Sequence, residues 1–364
     1  MPKKPSTKAK LLSPRDWERA ARAKLSRVAY DYFRSGADAE RAMKRNVRAY
    51  QRWVVWYRVL VDVATRDLGT TVLGHPVAMP ILIAPMAYQK LAHPEGELGA
   101  ARAAAAVGTI YIASTLATTT LEDIAAATPA VKLFQLYVHK DREFNRELIL
   151  RAKQAGYSGL VVTVDAPVLG RRLRDERNGF ALPPGMTAAN LASDSALAAT
   201  EGSALASYVD DRHDASFSWK DLEWLRSLSE LPVVLKGIVR VDDARRAVGH
   251  GIDGIIVSNH GGRQLDAAPA TLDALPGIAR AVGDDCEVYV DGGIRSGSDV
   301  FKALALGARA VLVGRPVLWA LALEGEASVA ELLRGMAEDL SRTMALAGTP
   351  TLADIRRDML TPES

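Results

Sequence analysis

One stretch of the chain groups side chains that could move a proton and bind an anion. Residues 258–266 have the sequence Ser-Asn-His-Gly-Gly-Arg-Gln-Leu-Asp, which puts His260 three positions before Arg263. In a tight or helical turn, the imidazole and the guanidinium can address the same ligand. A histidine of near-neutral pKa can remove a proton, and an arginine can bind a carboxylate through two hydrogen bonds. We therefore expect proton abstraction from an anionic substrate at this loop.

Two residues elsewhere in the chain could complete this chemistry. Asp165 follows an apolar run, and a carboxylate is costly to bury unless it is paired. A protonated His260 would supply that partner. Arg172 offers a second group that can bind a carboxylate, from another part of the chain.

The elements that must position these residues are short apolar runs separated by Ala-rich segments of helical composition. Runs that are apolar on both faces are typical of strands in a parallel sheet. Eight strand–helix units favour a closed (β/α)8 TIM barrel over an open doubly wound sheet. The eight runs are residues 81–84, 110–113, 133–136, 160–164, 233–235, 254–257, 288–290 and 310–313.

Small or polar residues follow each run, and in such a barrel the carboxyl ends of the strands form the active site. The last two loops contain Asp291-Gly-Gly-Ile-Arg295 and Gly314-Arg315-Pro316. Glycines let backbone amides approach phosphate oxygens, and loops seven and eight of this fold commonly bind phosphate. We therefore expect a phosphorylated cofactor or substrate.

The remaining segments suggest one domain with two additions. We expect a flexible basic tail over residues 1–12 and a single domain over 13–364, whose first part, 13–75, is a helical extension. Ser13-Pro14 with Asp16 predicts a helix start there. Residues 175–217 interrupt the strand–helix rhythm after the fourth strand, which favours a lid over the active site rather than a surface loop without a role. The segment from Leu321 onward predicts closing helices.

Composition excludes several classes of protein. Lys and Arg total 46 against 43 Asp and Glu, which argues against a nucleic-acid-binding protein. No apolar run approaches the ~20 residues that cross a bilayer, and the N-terminus has no secretory apolar core, so we expect a cytoplasmic protein without a membrane partner.

Cys286 is the single cysteine, which excludes a disulfide framework and cysteine-based metal sites. The six histidines lack two-histidine ligand spacing, so we predict no metal. No Gly-x-Ser-x-Gly elbow supports a serine hydrolase.

Five motifs together resemble the FMN-dependent L-2-hydroxy acid oxidases, the group that includes glycolate, lactate and hydroxymandelate oxidases. The resemblance runs from about Tyr30 to about Gly348. It implies an FMN cofactor and oxidation of a small 2-hydroxy acid to the 2-keto acid. The motifs are SNHGGRQLD at 258–266, DGGIR at 291–295, FQLY at 134–137, TVD at 163–165 and GRP at 314–316.

The resemblance also implies a role for each catalytic side chain. His260 matches the base, and Asp165 matches the carboxylate that stabilises its protonated ring. Direct hydride transfer and a carbanion route both remain open. Tyr137 matches the tyrosine that hydrogen-bonds the alpha oxygen, and Lys236 the lysine beside the flavin N1–C2 carbonyl.

Further residues are implied as binding groups. Arg263, Arg172 and Tyr32 match groups that bind or position the substrate carboxylate. The flavin is lined by Ala84, Pro85, Ala87, Ser114, Gln135, Thr163 and Ser258. Its ribityl chain and phosphate are held by Asp291, Gly293, Arg295, Gly314 and Arg315.

The substrate follows less directly from the motifs. Leu116 stands where glycolate oxidases typically have tryptophan and Met86 where they have threonine, so the pocket should admit a larger alpha substituent. Val209 instead resembles glycolate oxidases, and residues 170–182 are similar to hydroxymandelate oxidases. We favour L-lactate or a slightly longer aliphatic acid, with glycolate and mandelate as alternatives. Ala87 stands where dehydrogenase and monooxygenase members have glycine, which favours O2 as acceptor and H2O2 as product.

Two competing functions are open to test. One is a dehydrogenase with a quinone or cytochrome acceptor, but residues 186–216 lack the hydrophobic insertion of membrane-bound relatives. The other is a flavin-dependent isomerase or a flavin-binding protein without redox turnover, against which the pairing of His260 with Asp165 argues. The resemblance further implies a homotetramer or octamer.

Overall fold

The computed structural model describes residues 11–191 and 212–363. The predicted basic tail lies almost wholly outside the described residues. So do Val209 and the middle of the predicted lid.

The chain begins with three helices, α1 (Pro14–Lys24), α2 (Arg27–Arg34) and α3 (Arg41–Gln51). The predicted start of α1 is confirmed: the Asp16 backbone N–H donates to the Ser13 hydroxyl, and the Ser13 backbone N–H donates to the Asp16 carboxylate. This reciprocal cap satisfies donors that a helix N-terminus leaves free. Residues 53–77 are not helical but form three short strands, β1 (Trp53–Val55), β2 (Thr70–Val72) and β3 (His75–Val77).

Eight parallel strands then form a closed barrel, which confirms the predicted (β/α)8 fold. Each strand pairs in parallel with its neighbours in the order β4-β5-β6-β7-β8-β9-β10-β11, and β11 pairs with β4 to close the ring. The strands are β4 (Ile81–Ile83), β5 (Tyr111–Ser114), β6 (Lys132–Leu136), β7 (Leu160–Thr163), β8 (Val233–Ile238), β9 (Gly254–Val257), β10 (Glu287–Asp291) and β11 (Ala310–Val313).

The strands are apolar on both faces because each face is buried against a different layer. Leu82, Val161 and Leu312 belong to a cluster of buried side chains that fills the barrel interior. Ile81 and Ile83 belong to a second, larger cluster that packs the strands against the surrounding helices. The alternation follows from the two-residue period of a strand.

Helices follow the strands and surround the barrel. They are α4 (Gly96–Ala106), α5 (Leu121–Ala127), α6 (Arg142–Gln154), α7 (Leu173–Asn178), α8 (Leu222–Ser227), α9 (Val241–Gly249), α10 (Thr271–Val282) and α11 (Gly297–Ala305). The C-terminal segment, predicted as closing helices, forms α12 (Arg315–Ala347) with a kink at Glu324 and Gly325. A last strand, β12 (Leu360–Pro362), pairs with β1. In the described part of the chain, no helix combines the length and the apolarity needed to span a bilayer.

Strand β8 extends three residues beyond its predicted end. The apolar run ends at Leu235, but the structure continues through Lys236 and Gly237 to Ile238 with an irregular register. Gly237 has φ +118°, and a Cβ there would lie 2.6 Å from the Cβ of Asp165. Glycine therefore lets the strand pass close to Asp165 while it presents Lys236 at the rim.

Candidate active site

A cleft that is partly open to solvent lies at the carboxyl ends of the barrel strands. All the predicted site residues except Asp165 and Ser258 line it. Those two lie directly behind the lining, since each hydrogen-bonds a side chain that faces the cleft. The barrel thus brings the whole predicted set together.

His260 lies in the short 3-10 turn His260–Gly262 that follows β9. Its backbone has φ +59°, a conformation uncommon for a residue with a side chain, and its N–H donates to the Ser258 hydroxyl at 3.0 Å. The ring Nδ1 lies 2.9 Å from Oδ1 of Asp165. The ring Nε2 lies 3.2 Å from the Tyr137 hydroxyl. Both ring nitrogens therefore lie within hydrogen-bond distance of a partner: Nδ1 is close to Asp165 behind the cleft wall, and Nε2 is close to Tyr137 inside the cleft.

Burial, reinforced by two nearby cationic side chains, lowers the pKa of His260 and favours a neutral imidazole in the free protein. Burial lowers the pKa of His260, Asp165 raises it, and the nearby Lys236 and Arg172 add to the lowering, so that the net direction is down. Burial acts to raise the pKa of Asp165, but its pairing with His260, through the Nδ1 hydrogen bond, and the Lys236 charge outweigh it, so that this pKa is lowered. An ionised carboxylate only accepts hydrogen bonds, so Nδ1 carries the proton and Nε2 is the unprotonated acceptor that faces Tyr137. His260 is thus arranged as a base at Nε2.

Tyr137 follows β6 and is partly buried beside His260. Burial raises the pKa of its hydroxyl to about 12, partly offset by Lys236. The phenol therefore stays protonated at neutral pH and can donate a hydrogen bond to a substrate oxygen.

Lys236 carries a buried positive charge on the cleft wall. Its Nζ donates to the Ser258 hydroxyl at 3.0 Å and lies 3.2 Å from Oδ2 of Asp291. Burial lowers the pKa of Lys236, but the Asp291 and Asp165 charges raise it by more, so that the amine is charged. Oδ1 of Asp291 is buried and has no hydrogen-bond partner among the described residues.

A row of polar side chains crosses the ends of three neighbouring strands. The Ser114 hydroxyl donates to Oε1 of Gln135 at 3.1 Å, and Nε2 of Gln135 donates to the Thr163 hydroxyl at 2.9 Å. Each is buried and lines the cleft. These mutual hydrogen bonds fix the orientation of the Gln135 amide.

Arg263 and Tyr32 meet at the outer part of the cleft. Nη1 of Arg263 donates to the carbonyl oxygens of Tyr32 and Ser35 at 2.8 and 2.9 Å, which ties the loop after β9 to the end of α2. The guanidinium carbon lies 5.2 Å from the centre of the Tyr32 ring. Phe180 stacks on the same ring, with centroids 4.2 Å apart and planes 8° from parallel. Tyr32 is therefore fixed by contacts that cannot be deduced from its own helix.

Arg172 is buried in the cleft wall at the start of α7, and its Nε has no hydrogen-bond partner among residues 11–191 and 212–363. Burial, with a smaller contribution from the Arg263 charge, lowers its pKa to about 10. It stays charged at neutral pH. A buried guanidinium with an unused donor is arranged to bind an anion.

The predicted phosphate end contains a concentration of positive charge. Arg295 and Arg315 line the cleft and are half-buried. Burial lowers the pKa of Arg315 well below its ordinary value, and the charges of Arg263, Arg295 and Arg34 lower it further. Guanidinium groups that repel one another in a partly buried site are stabilised by an anion among them.

Arg315 also has structural contacts that its sequence motif does not reveal. Nε, Nη1 and Nη2 donate to the carbonyl oxygens of Phe33, Gly261 and Ser35 at 3.0, 3.0 and 2.9 Å. Gly293 has φ +89°, and a Cβ there would lie 2.3 Å from the carbonyl oxygen of Asn46. Glycine is needed here for packing against α3, in addition to any approach of an amide to a ligand.

Sequence reasoning missed several cleft residues. His213 and Gln264 line the cleft, and the side chain of Gln264 links the loops after β7 and β9. Asn46 and Asn259 exchange hydrogen bonds of 2.8 and 2.9 Å that join α3 to the same loop. The motif of residues 258–266 could have indicated Gln264 and Asn259, whereas nothing in the local pattern marks His213. No group of three His, Cys, Asp or Glu side chains within the described ranges is arranged to hold a metal ion.

This chain is similar to known proteins over nearly its whole length. The model of a family described as FMN-dependent dehydrogenase matches residues 21–362. An L-lactate oxidase from Nostoc sp. is 51% identical over 352 residues, which cover 95% of this chain and 96% of that protein. Glycolate oxidase 1 from Oryza sativa subsp. japonica is 49% identical over 344 residues, with 94% and 93% coverage. A structure of mandelate oxidase with (S)-4-hydroxymandelic acid superposes with a TM-score of 0.92 at 46% identity and covers 97% of this chain and 99% of that one.

Proposed function

Since this chain belongs to the FMN-dependent dehydrogenase family, we propose that it is an FMN-dependent oxidase of L-2-hydroxy acids. The favoured substrate is L-lactate or a slightly longer aliphatic acid, converted to the 2-keto acid while O2 is reduced to H2O2. One observation carries the proposal: Tyr137, His260 and Asp165 form a hydrogen-bonded series that opens into a cleft lined by Arg263 and Arg172.

Three features of the cleft fit FMN. The unpartnered Oδ1 of Asp291 can accept a hydrogen bond from a ribityl hydroxyl. The row formed by Ser114, Gln135 and Thr163 offers donors and acceptors to the polar edge of a flavin. Arg295 and Arg315, whose charges repel one another, suit the phosphate. These residues would hold the cofactor, with Ala84, Pro85, Ala87, Ser258, Gly293 and Gly314 as the remaining proposed contacts.

When bound, FMN accepts the two electrons that leave the substrate. The chain supplies a fixed positive charge beside it, because Lys236 is buried and charged. A buried cation stabilises negative charge that develops nearby.

His260 accepts a proton from the substrate at Nε2. Asp165 is ionised and hydrogen-bonded to Nδ1, so it stabilises the imidazolium that results. Tyr137 donates to the oxygen on the alpha carbon. In total, one L-2-hydroxy acid and one O2 give one 2-keto acid and one H2O2, with two electrons and two protons transferred.

Arg263 binds the substrate carboxylate, assisted by the Tyr32 hydroxyl and by Arg172. Nη1 of Arg263 is tied to backbone carbonyls, and the guanidinium, which lines the cleft, also hydrogen-bonds the Tyr32 hydroxyl, so the two groups can act on one carboxylate together. Because the carboxylate position is fixed relative to Nε2 of His260, the alpha carbon is presented to the base in one orientation.

The size of the alpha substituent is set by Leu116 and Met86, which both line the cleft. The Met86 side chain is flexible and the Leu116 side chain is of medium size, so together they leave room for a methyl or ethyl group on the alpha carbon. Glycolate and mandelate remain alternative substrates. A panel of glycolate, L-lactate, L-2-hydroxybutyrate and L-mandelate, scored by the rate of anaerobic flavin reduction, ranks them.

The acceptor is tested separately from the substrate. Peroxide formed per 2-hydroxy acid consumed under air should be one to one if O2 is the acceptor. Reduction of a quinone analogue without peroxide would favour the dehydrogenase alternative. A protein that purifies without flavin and does not bind added FMN would overturn the proposal.

We also propose a domain organisation, an assembly and a location for the protein. We place residues 13–364 in one FMN-binding domain with residues 175–217 as a lid, assembled as a homotetramer in the cytoplasm. The support is the resemblance to the 2-hydroxy acid oxidases. Light scattering of the purified holoenzyme measures the assembly, and fractionation of cells locates it.

A further inference from the structure

His213 lies beside the reacting groups, although the mechanism above gives it no role. Its side chain lines the cleft and is 5% exposed. Its ring stacks on Tyr137, with centroids 4.8 Å apart and planes 25° from parallel. The Tyr137 ring is in turn within 18° of parallel to His260, with centroids 6.3 Å apart. Tyr137 is thus stacked with both histidines.

We propose that His213 is a positioning residue whose ring holds the Tyr137 phenol in the orientation that places its hydroxyl 3.2 Å from Nε2 of His260. A tyrosine ring turns about two side-chain torsions, and the second of these is broad in the absence of contacts. A planar partner against the ring face restricts both torsions. The inference deepens the proposed function, because that function gives the Tyr137 hydroxyl its substrate contact.

The backbone contacts that hold His213 in place come from the segment that carries Tyr137. His213 forms an antiparallel bridge with His139, two residues beyond Tyr137. The backbone N–H of Asp214 donates to the carbonyl of Val138 at 2.9 Å. Asn145 holds His139 in place, because its Oδ1 accepts from the His139 N–H and its Nδ2 donates to the His139 carbonyl, both at 2.8 Å.

This arrangement predicts that the flat face of the His213 ring holds Tyr137, so a substitute with a similar flat face should keep the contact. Phenylalanine at position 213 keeps a flat face against Tyr137, whereas alanine removes it. His250 offers a matched control, since it is a histidine stacked on Trp219 at 5.7 Å and 16° and does not line the cleft. His250→Ala removes a comparable ring pair away from the reaction.

The experiment measures anaerobic flavin reduction by L-lactate in holoenzymes that carry His213→Ala, His213→Phe and His250→Ala. We expect His213→Ala to slow reduction at saturating substrate by about 10- to 100-fold, the scale of a small misplacement of a reacting group. His213→Phe and His250→Ala should stay close to wild type. In a Tyr137→Phe background, which lacks the hydroxyl, His213→Ala should cause no further loss.

Crystal structures of His213→Ala and His213→Phe provide a readout that does not depend on activity. The Tyr137 hydroxyl should move away from Nε2 of His260 in the alanine variant and stay in hydrogen-bond distance in the phenylalanine variant. An unmoved hydroxyl in His213→Ala, an equal loss in both Tyr137 backgrounds, or a phenylalanine variant as slow as the alanine variant would each overturn the inference. A wild-type enzyme that no 2-hydroxy acid reduces would refute the proposed function instead, while the two structures still decide the role of His213.

Discussion

Nδ1 of His260 lies 2.9 Å from Oδ1 of Asp165, although the two residues are 95 positions apart in the chain. The barrel makes this contact possible by placing the ends of β7 and β9 on the same rim. The consequence is a partly buried imidazole with its basic nitrogen directed toward Tyr137 and the cleft.

Asp165→Asn should slow turnover and move the acid limb of the pH profile to lower pH. The pKa of His260 already lies below its ordinary value of 6.5 because of burial, and Asp165 is the group that opposes this lowering. Without the carboxylate the pKa of His260 falls further, so the neutral base persists to lower pH. Turnover should nevertheless fall by about 100-fold or more, because the imidazolium loses its stabilising charge, as in other imidazole–carboxylate pairs.

The pH dependence of kcat/KM for wild type and Asp165→Asn measures this shift. Asp242→Asn, which alters an exposed pair with Arg240, is the control and should leave the profile unchanged. A limb that moves to higher pH in Asp165→Asn would contradict the assigned electrostatics.

Arg263→Lys should mainly weaken substrate binding. A lysine ammonium cannot reproduce the planar, two-point contact of a guanidinium, and the loss of one charged hydrogen bond corresponds to about 10- to 100-fold in the dissociation constant. The dependence of the flavin reduction rate on L-lactate concentration separates binding from chemistry. Arg240→Lys on the surface is the matched control, and an unchanged dissociation constant in Arg263→Lys would remove Arg263 from the carboxylate site.

Lys236→Met should destabilise the protein as well as slow flavin reduction. The substitution leaves the buried Asp291 carboxylate without the ammonium that lies 3.2 Å from it. Removal of one member of a buried ion pair costs about 3–5 kcal/mol of unfolding free energy. Chemical denaturation measures the change, with Lys302→Met as a half-buried lysine control that donates to a backbone carbonyl. Equal stabilities for the two variants would argue against a charged pair at Lys236 and Asp291.

Leu116→Trp should restrict the substrate range to small acids. Leu116 is buried and lines the cleft, so a larger ring there occupies space that an alpha substituent needs. Discrimination of glycolate over L-2-hydroxybutyrate should rise by about 10- to 100-fold, the range that pocket volume can produce. Steady-state kcat/KM for the two acids tests this, with Leu116→Met as a control of similar volume. No change in the ratio would show that Leu116 does not face the substituent.

Much of the fold could be predicted because buried parallel strands are uniformly apolar. Runs such as 160–164 and 254–257 therefore predicted the strands. Because Asp165 and His260 follow the ends of these two runs, the runs also predicted that both residues lie on the same rim of the barrel. The end of β8 was not predictable from apolarity, since Lys236 and Gly237 continue the strand only because the backbone passes close to Asp165.

The rest of the site depends on contacts between segments that carry no periodic signal. Phe180 and His213 come from the region between β7 and β8, yet they stack on Tyr32 and Tyr137. The hydrogen bonds from Arg315 to the end of α2 likewise arise only when the N-terminal helices pack on the barrel. A motif can indicate the chemistry of a side chain but not which distant segment holds it in place.

The most direct test of the central claim is the rate of anaerobic flavin reduction by L-lactate in wild type and in His260→Gln. The wild-type flavin band should bleach. The variant should retain FMN but be reduced about 100- to 10,000-fold more slowly, the range expected for loss of a general base. Reduction of His260→Gln at near the wild-type rate would contradict the assignment of His260 as the base.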